Sequence, residues 1–343
     1  MVAAFITCAL LAVLALGPSA AAAQLLLVVS DGAEVYGEVA KEIERRVHGG
    51  DRQARIDTMT AREASSVDPE GLRRYALVVT VGVDAARATM SKPTPTPSPS
   101  SPSPSTRPPI LALLAPRDRF GELAKSANAE RDGRISAIFI EQPLVRQLDL
   151  VSLALPARTR VGVVLGPTSA GLARDLEDAA RAAGLELRRA QANDAAGVYP
   201  ALQQVLMQSD VLLALPDAVA INAATIRSVL LASHRAAVPV VGFSQALVDA
   251  GALLAVYSTP QQYARQAAEI ALDVVARNAP LPSPQYPRYF TVGVNFVTAQ
   301  AIGLALDDEA TLAAALAVRT RDREKDRART QSNVVMHAAK ASR

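Results

Sequence analysis

Short apolar segments of the length of a β-strand alternate with segments of helical periodicity along most of this 343-residue chain. Strands that are apolar on both faces are typical of parallel sheets covered by helices, and a helix after each strand is the crossover such a sheet needs. The alternation therefore predicts an α/β fold with parallel sheets. Its two runs, near 24–140 and 160–245, indicate two lobes of similar plan. The predicted strands are Leu25–Val29, Ala76–Val81, Ile110–Leu114, Ser136–Ile140, Arg160–Gly166, Leu185–Arg189, Asp210–Pro216 and Val238–Phe243.

Some helix ends can also be predicted. Thr168 or Ser169 can cap the helix that follows the strand Arg160–Gly166. Gly184 is expected to end that helix, because glycine adopts the left-handed conformation common at helix C-termini. A second helix is predicted over Ile221–Ala236.

Polar residues and glycines follow the carboxyl ends of the predicted strands, where open parallel sheets bind their ligands. Thr168 and Ser169 lie where a helix N-terminus offers free N–H groups to an anion such as a carboxylate. Asp217 can pair with an ammonium group. Each of these residues has an alternative role as a helix cap or turn former. The candidate ligand-binding residues at strand ends are Ser30, Asp31, Gly82, Asp84, Thr168, Ser169, Asp217, Phe243 and Ser244.

The sequence contains little that indicates catalysis or a cofactor. Its three histidines, at positions 48, 234 and 337, are far apart, and its single cysteine is Cys8. There is no G-x-S-x-G nucleophile motif, no phosphate-binding G-x-x-x-x-G-K-[ST] loop and no G-x-G-x-x-G after a strand. We therefore expect no catalytic residues, no metal and no cofactor, although single carboxylates leave acid–base chemistry open.

The N-terminus has the pattern of a secretory signal. Ala3–Leu16 is apolar apart from Thr7, and a Gly17-Pro18 break and a run of small residues follow it. We expect residues 1–23 to be a cleaved signal peptide. The alternative is an uncleaved anchor, but the apolar stretch is shorter than the about 20 residues that span a bilayer. Cleavage would remove Cys8 and suits an oxidising compartment such as a bacterial periplasm.

A proline-rich segment interrupts the first run of strands and helices. Residues 92–109 read KPTPTPSPSSPSPSTRPP and hold eight of the 22 prolines. Such a sequence favours polyproline II and cannot join a sheet. Because buried-type strands flank it on both sides, we expect a disordered surface insertion within one lobe. An interdomain linker is the alternative.

Basic residues are concentrated at the C-terminus. From Arg319 to Arg343 there are eight basic and three acidic residues and no aromatic one. The rest of the chain is slightly acidic, so the sequence pI of about 9.1 describes the tail rather than the fold. We expect 317–343 to be a charged, disordered tail, with weak contact to anionic lipid as the alternative. The sequence lacks the pattern that would indicate nucleic-acid binding, which is a basic face on a folded domain with aromatic residues among the basic ones.

The stretch from Pro143 to Leu316 resembles the substrate-binding proteins of ABC transporters, of the tryptophan/tyrosine-binding TrpX-like type. The residues that carry the resemblance are QLDLVSLALP (147–156), RVGVVLGPTS (160–169), DVLLALPDAVAIN (210–222), VPVVGFSQALVDAGALLAVYS (238–258), the helix Tyr263–Asn278 and the ending VNFVTAQAIGL (294–304).

This resemblance implies a type I periplasmic-binding fold, in which two Rossmann-like lobes with parallel sheets are joined by three crossing strands. On that plan lobe 1 would comprise 24–142 and 255–290, and lobe 2 would comprise 143–254 and 291–316. A ligand would sit between the lobes and draw them closed. The aromatic candidates for contact with a ring-shaped ligand are Tyr36, Phe120, Phe243 and Tyr257.

Three functions of different classes follow. The first is the periplasmic solute-binding component of an ABC importer, a monomer that binds a small metabolite such as an amino acid and meets an inner-membrane permease. The second is a binding-protein-like periplasmic module that senses a ligand or offers a partner surface without transport. The divergent lobe 1, the insertion and the basic tail favour this second function. The third is an enzyme on a doubly wound fold.

Overall fold

A computed structural model describes residues 24–92, 107–127 and 133–341. Its first sheet has five parallel strands in the order β2-β1-β3-β4-β5. All residues of β3, β4 and β5 are buried, as their apolar sequences predict. The strands are β1 (Gln24–Val29), β2 (Arg55–Thr60), β3 (Leu77–Val81), β4 (Ile110–Ala115) and β5 (Ile135–Phe139).

Helices cover both faces of this first sheet and, with it, form lobe 1. One apolar core lies under α1 and α11, and a second lies under α2, α4 and α5. The helix α11 comes from much later in the chain and packs against α1. These helices are α1 (Glu34–Gly50), α2 (Ala61–Ser66), α3 (Pro69–Leu72), α4 (Val83–Met90), α5 (Arg117–Ser126) and α11 (Pro260–Arg277).

The second sheet has six strands in the order β11-β10-β9-β8-β6-β7, and only β11 is antiparallel. With its helices it forms lobe 2. The strands are β6 (Arg160–Leu165), β7 (Glu186–Gln191), β8 (Val211–Leu213), β9 (Val240–Gly242), β10 (Leu254–Tyr257) and β11 (Thr291–Val294). The helices are α6 (Leu144–Ala154), α7 (Ala173–Ala183), α8 (Ala195–Leu206), α9 (Ile226–Arg235), α10 (Gln245–Asp249), α12 (Phe296–Ala301) and α13 (Glu309–Ala341). As predicted, α7 ends at Gly184, whose φ is +73°.

Three connections run between the lobes, at 140–143, 258–259 and 278–290. The predicted α/β fold with two lobes of parallel strands is therefore confirmed. One detail differs from the expectation. Strand β10 pairs with β9 and β11, so the chain returns to lobe 1 after Tyr257 and not at residue 255.

The C-terminal segment does not have the predicted disorder. Residues 309–341 form one helix, α13, and Leu312 and Leu316 lie buried in the core of lobe 2. Arg323 donates two hydrogen bonds to the carboxylate of Asp149 on α6, both at 2.6 Å. Asp149 is only 1% exposed, and this buried carboxylate requires a cationic partner. The tail supplies it, and this contact and the two leucines attach the first half of the helix to lobe 2.

Two other predicted segments lie wholly or mostly outside the described residues. They are the signal peptide at 1–23 and residues 93–106 of the proline-rich insertion. The described residues of the insertion that flank 93–106 contact one another, because Arg107 Nη2 donates to the carbonyl of Lys92 at 2.9 Å. Both residues precede β4, at the edge of lobe 1 opposite the carboxyl ends of its strands. None of the helices in the described ranges is long and apolar enough to cross a membrane.

Candidate functional site

The carboxyl edges of the two sheets approach each other. Arg117 is the first residue of α5, directly beyond β4, and Asp175 lies in the first turn of α7, beyond β6. The guanidinium Nη1 of Arg117 and Oδ2 of Asp175 are 3.3 Å apart, so this ion pair joins lobe 1 to lobe 2. The predicted site residues all lie at or just beyond strand ends on these two edges. The region between the edges is the interlobe cleft.

In lobe 1, the loops after β1 and β3 are in close contact. The hydroxyl of Ser30 accepts a hydrogen bond from the backbone N–H of Ala85 at 2.9 Å and so caps α4. Gly82 has a φ of +91°, and a β-carbon there would lie 2.5 Å from the Ser30 hydroxyl. Ser30 and Gly82 therefore shape this edge, and Ser30 is buried.

Two carboxylates flank these loops. Asp31 and Asp84 are both exposed, and neither forms a hydrogen bond or ion pair with another described residue. They follow neighbouring strands, β1 and β3, and are free to contact a ligand. The half-buried ring of Tyr36 lies beside Gly82 at the same edge, since a β-carbon on Gly82 would be 3.1 Å from its Cζ.

In lobe 2, Asp217 joins the loop after β8 to the loop after β6. Its Oδ2 accepts hydrogen bonds from the backbone N–H and the hydroxyl of both Thr168 and Ser169, at 2.8–3.1 Å. Its Oδ1 accepts from the N–H groups of Val219 and Ala220, at 2.8 and 2.9 Å. The side chain is 5% exposed. All three predicted residues are thus brought together, but they bind one another.

The charge of Asp217 is stabilised by these contacts. Burial alone would raise its pKa, but the hydrogen bonds from Ala220, Val219, Ser169 and Thr168 outweigh burial and hold the pKa well below its ordinary value. Six donors leave little capacity for an ammonium group, because a carboxylate accepts about four strong hydrogen bonds. The prediction that Asp217 pairs with an ammonium therefore does not fit its surroundings. Its alternative role, the turn former, does.

Three further candidates lie at the ends of β9 and β10. Phe243 is half-buried against the core beneath α8 and α9. The hydroxyl of Ser244 accepts the backbone N–H of Leu247 at 3.4 Å and caps α10. The hydroxyl of Tyr257 donates a hydrogen bond to Gln245 Oε1. Burial, together with Glu309 and Asp249, raises the pKa of Tyr257.

Phe120, in contrast, is not a cleft residue. It is 5% exposed, and its ring packs edge-on against Phe139 with the centroids 5.7 Å apart. Phe139 packs in the same way against Tyr286, at 5.4 Å. The three rings form part of the core of lobe 1.

Further contacts of Arg117, near β4 and β5, could not be predicted from the sequence. Besides Asp175, Arg117 Nη1 contacts the hydroxyl of Tyr286 at 3.2 Å. The backbone N–H of Arg117 donates to the carboxylate of Glu141, at 3.0 and 3.2 Å. Burial raises the pKa of Glu141 even though this N–H lowers it. The position of Arg117 at the end of a strand could have indicated a site residue. Its partners could not be found in this way, because they lie 24–169 residues away in sequence.

A second missed group lies where the three interlobe connections meet. Arg146 Nη1 donates to Gln142 Oε1 at 2.7 Å and to the carbonyl of Pro287 at 2.8 Å. Gln142 Nε2 donates to the hydroxyl of Ser258 at 2.8 Å, and that hydroxyl donates to the carbonyl of Tyr289 at 2.6 Å. We call these five residues the hinge cluster.

The parts of the chain that the structure describes contain no candidate cluster of metal ligands, that is, no group of three or more His, Cys, Asp or Glu residues that could hold an ion. A cavity of about 20 Å³ lies at the N-terminal end of β9, beside Ser233 and His234. That volume holds about one water molecule. It is on the edge of the sheet opposite the candidate site.

Comparison with known proteins gives one family and one fold. A sequence profile described as ABC transporter substrate binding protein matches residues 130–317, more than half of the chain. No curated protein matches.

Three solved structures are similar over most of their length. A ligand-free, open structure of a substrate-binding protein with adhesive properties from Clostridium difficile has a TM-score of 0.66 and 13% identity, and the match covers 83% of this chain and 96% of that one. A conserved domain protein from Vibrio cholerae has a TM-score of 0.54 and 18% identity, covering 85% and 98%. An ABC domain in complex with L-Trp from Streptococcus pneumonia has a TM-score of 0.53 and 14% identity, covering 85% and 98%. At these identities the likeness shows the type I periplasmic-binding fold.

Proposed function

The chain belongs to the ABC transporter substrate-binding protein family, and we propose that it binds a small solute in the interlobe cleft and delivers it to a membrane permease. Proteins of this family bind small-molecule ligands, work with ABC permeases and are not enzymes. The direction of transport proposed here is import. The solute class proposed first is an amino acid, since one protein of the same fold is in complex with L-Trp.

This proposal rests on one observation. The carboxyl edges of the two sheets face each other across one cleft. Ligands of open parallel sheets bind at such edges. Here the ion pair between Arg117 and Asp175 spans the two edges, with its atoms 3.3 Å apart. On lobe 1 the free carboxylates of Asp31 and Asp84 offer contacts to a ligand.

We assign direct ligand contact to the exposed or half-buried candidates and a supporting role to the buried ones. Asp217, Ser169, Ser30 and Gly82 are buried or tightly packed and shape the loops. Thr168 lies exposed on lobe 2, and its hydroxyl serves the loop through Asp217. The residues proposed to face the ligand are Asp31, Tyr36, Asp84, Thr168, Phe243, Ser244 and Tyr257.

The compartment and assembly are part of the proposal. We propose export, cleavage near Ala23 and a periplasmic monomer, and the apolar N-terminal pattern and the family support the export. A monomer suffices, because the cleft is formed by the two lobes of one chain.

A thermal-shift screen of residues 24–343 against amino acids, small carboxylates, nucleosides and sugars tests this function. A ligand at about 100 times its Kd adds about 2.7 kcal/mol and raises the melting temperature by a few degrees. The upward shift should shrink in Asp31→Asn/Asp84→Asn and persist in the control Asp178→Asn, whose side chain is exposed on α7. A cooperative melt with no shift across the panel would count against transport of these solutes.

The second candidate is a sensing or interaction module with the same fold. The docked helix α13 extends to Ala341, beyond the part of the chain that matches the family, and favours a partner surface. A blank thermal-shift screen together with specific capture of a periplasmic protein that is lost on removal of 324–343 would favour this function.

A further inference from the structure

Arg146 is a buried cation at the junction of the lobes. It is 4% exposed and lies in the first turn of α6, where the chain enters lobe 2. Its hydrogen-bond acceptors are neutral, namely the side chain of Gln142 and the carbonyl of Pro287. Its guanidinium carbon also lies 4.5 Å from the centroid of the Phe290 ring. The cation is thus held by dipoles and an aromatic face.

This arrangement is costly for a charged group. Among the described residues, Arg146 forms no ion pair with a carboxylate, and its Nε has no hydrogen-bond acceptor. Burial lowers its pKa to about 10, and Glu324 and Tyr263 offset only part of that effect. A buried charge without a counterion opposes folding unless its contacts compensate. A specific geometric role would account for its presence.

The contacts of Arg146 reach all three interlobe connections. It binds the first connection through Gln142 and the third through Pro287. Gln142 binds Ser258 of the second connection, and Ser258 in turn binds the carbonyl of Tyr289 in the third. The three connections carry the relative rotation of the lobes, so one guanidinium ties together the segments that must move in any hinge motion.

The same helix carries the contact with the C-terminal segment. Asp149 is one turn after Arg146 on α6 and receives the two hydrogen bonds from Arg323 of α13. Arg319 binds Ser152 one turn further along, so α13 lies antiparallel to α6 and its chain runs toward the hinge cluster. The charge of Glu324, next to Arg323, offsets part of the lowering of the Arg146 pKa by burial.

We propose that Arg146 sets the resting angle between the two lobes, and that the C-terminal helix stabilises this angle by docking on the next turn of α6. Arg146 is then a positioning residue that acts on the cleft through the three connections. The C-terminal helix becomes a regulatory element, because a change in its docking alters the lobe geometry without contact with the ligand.

Distances between spin labels on the two lobes test this proposal without a ligand, so the result does not depend on solute binding. Residues 24–343 contain no cysteine, and Arg62→Cys on α2 with Gln204→Cys on α8 places one label on an exposed position of each lobe. Double electron–electron resonance then measures the interlobe distance. We expect Arg146→Gln to shift the mean distance by about 2 Å or more, or to broaden it clearly.

Two controls separate hinge effects from general loss of a guanidinium. Arg158 Nη1 binds the carbonyl of Asp210 within lobe 2, so Arg158→Gln loses a similar bond away from the hinge and should leave the distance unchanged. On α13, Arg323→Gln should move the distance in the same direction as Arg146→Gln. Arg321→Gln, whose side chain is exposed, should not.

An unchanged distance in folded Arg146→Gln overturns the proposal. If that variant does not fold, Arg146→Lys decides, since lysine keeps the charge but cannot bind both acceptors in the fixed geometry of a guanidinium. A wild-type distance in Arg146→Lys then overturns the proposal, and a shifted one supports it. A wild-type distance in Arg323→Gln overturns the role of the C-terminal helix.

Discussion

The carboxylate of Asp217 accepts hydrogen bonds from both the backbone N–H and the hydroxyl of Ser169, each at 2.8 Å. Ser169 in turn accepts the N–H of Gly166 with the same hydroxyl, at 3.0 Å. The side chain at the end of β8 thus fixes the loop after β6. Gly166 leaves room for it, because a β-carbon there would overlap the carboxylate of Asp217.

Asp217→Ala should therefore destabilise the protein. The substitution removes the acceptor for buried N–H groups and hydroxyls, and we expect a loss of about 2–4 kcal/mol in the free energy of unfolding. Urea denaturation followed by circular dichroism measures this loss. Asp178→Ala on α7 is the matched control, with an expected change below about 0.5 kcal/mol. A loss below about 0.5 kcal/mol for Asp217→Ala would contradict the structural role.

The same carboxylate should make stability depend on acidic pH. Its pKa in the folded protein is lower than its ordinary value of about 3.9, so its contribution is complete above that value and is lost as pH falls toward the folded-state pKa. We expect the free energy of unfolding to fall between about pH 5 and pH 2 more steeply for the wild type than for Asp217→Asn. Parallel pH profiles for the two proteins would show that the group contributes nothing to the acid sensitivity.

The strand ends could be predicted from the sequence because a buried parallel strand is a local apolar pattern. The position of Asp217 followed from that pattern, but the pattern did not decide between an ammonium partner and a turn former. Its partners Thr168 and Ser169 belong to a loop 48–49 residues earlier, and only the folded sheet brings the two loops together. Strand β2 (Arg55–Thr60) was not predictable in the same way, since it is an edge strand with mostly exposed side chains and no apolar run.

The C-terminal helix shows a different limit. A stretch of alternating charges resembles a solvated tail, and nothing within it indicates a docking surface. The sequence feature that could have indicated docking lies in α6. It is Asp149, a single charged residue within the apolar segment QLDLVSLAL. A carboxylate on a buried helix face requires a cationic partner. That requirement alone does not reveal that Arg323, 174 residues later, supplies it.

Gly82→Ala should disturb the lobe 1 edge of the cleft. The residue has a φ of +91°, and the new methyl group would lie 2.5 Å from the hydroxyl of Ser30. We expect the free energy of unfolding to fall by about 1–3 kcal/mol, because both the backbone and the Ser30 side chain must adjust. Differential scanning calorimetry measures it. Gly121→Ala on α5 is the control, since nothing lies within 4 Å of a β-carbon there, and it should be neutral or stabilising. Equal melting temperatures for the two variants would refute the expected strain.

The Arg117–Asp175 pair should respond to salt. Both side chains are about half exposed, at 55% and 52%, so the pair contributes at most about 1 kcal/mol and is screened by ions. We expect the radius of gyration from X-ray scattering to change between low and high salt in the wild type, and to do so less in Asp175→Asn. Asp178→Asn, which removes the Arg181–Asp178 pair within α7, should behave as the wild type. A salt response that is the same in all three proteins would show that this pair does not influence the lobes.

Substitution of Arg323 should lower the free energy of unfolding more than substitution of an exposed arginine on α13. Asp149 would remain buried without its bidentate partner, and breaking a buried pair from one side costs about 3 kcal/mol or more. We expect Arg323→Ala to lower the free energy of unfolding by that amount, and Asp149→Ala/Arg323→Ala to lose less than the sum of the single variants. Arg329→Ala is the control, because Arg329 forms only an exposed pair with Asp326. Urea denaturation of the four proteins completes the cycle, and additive losses would mean that Asp149 and Arg323 do not depend on each other.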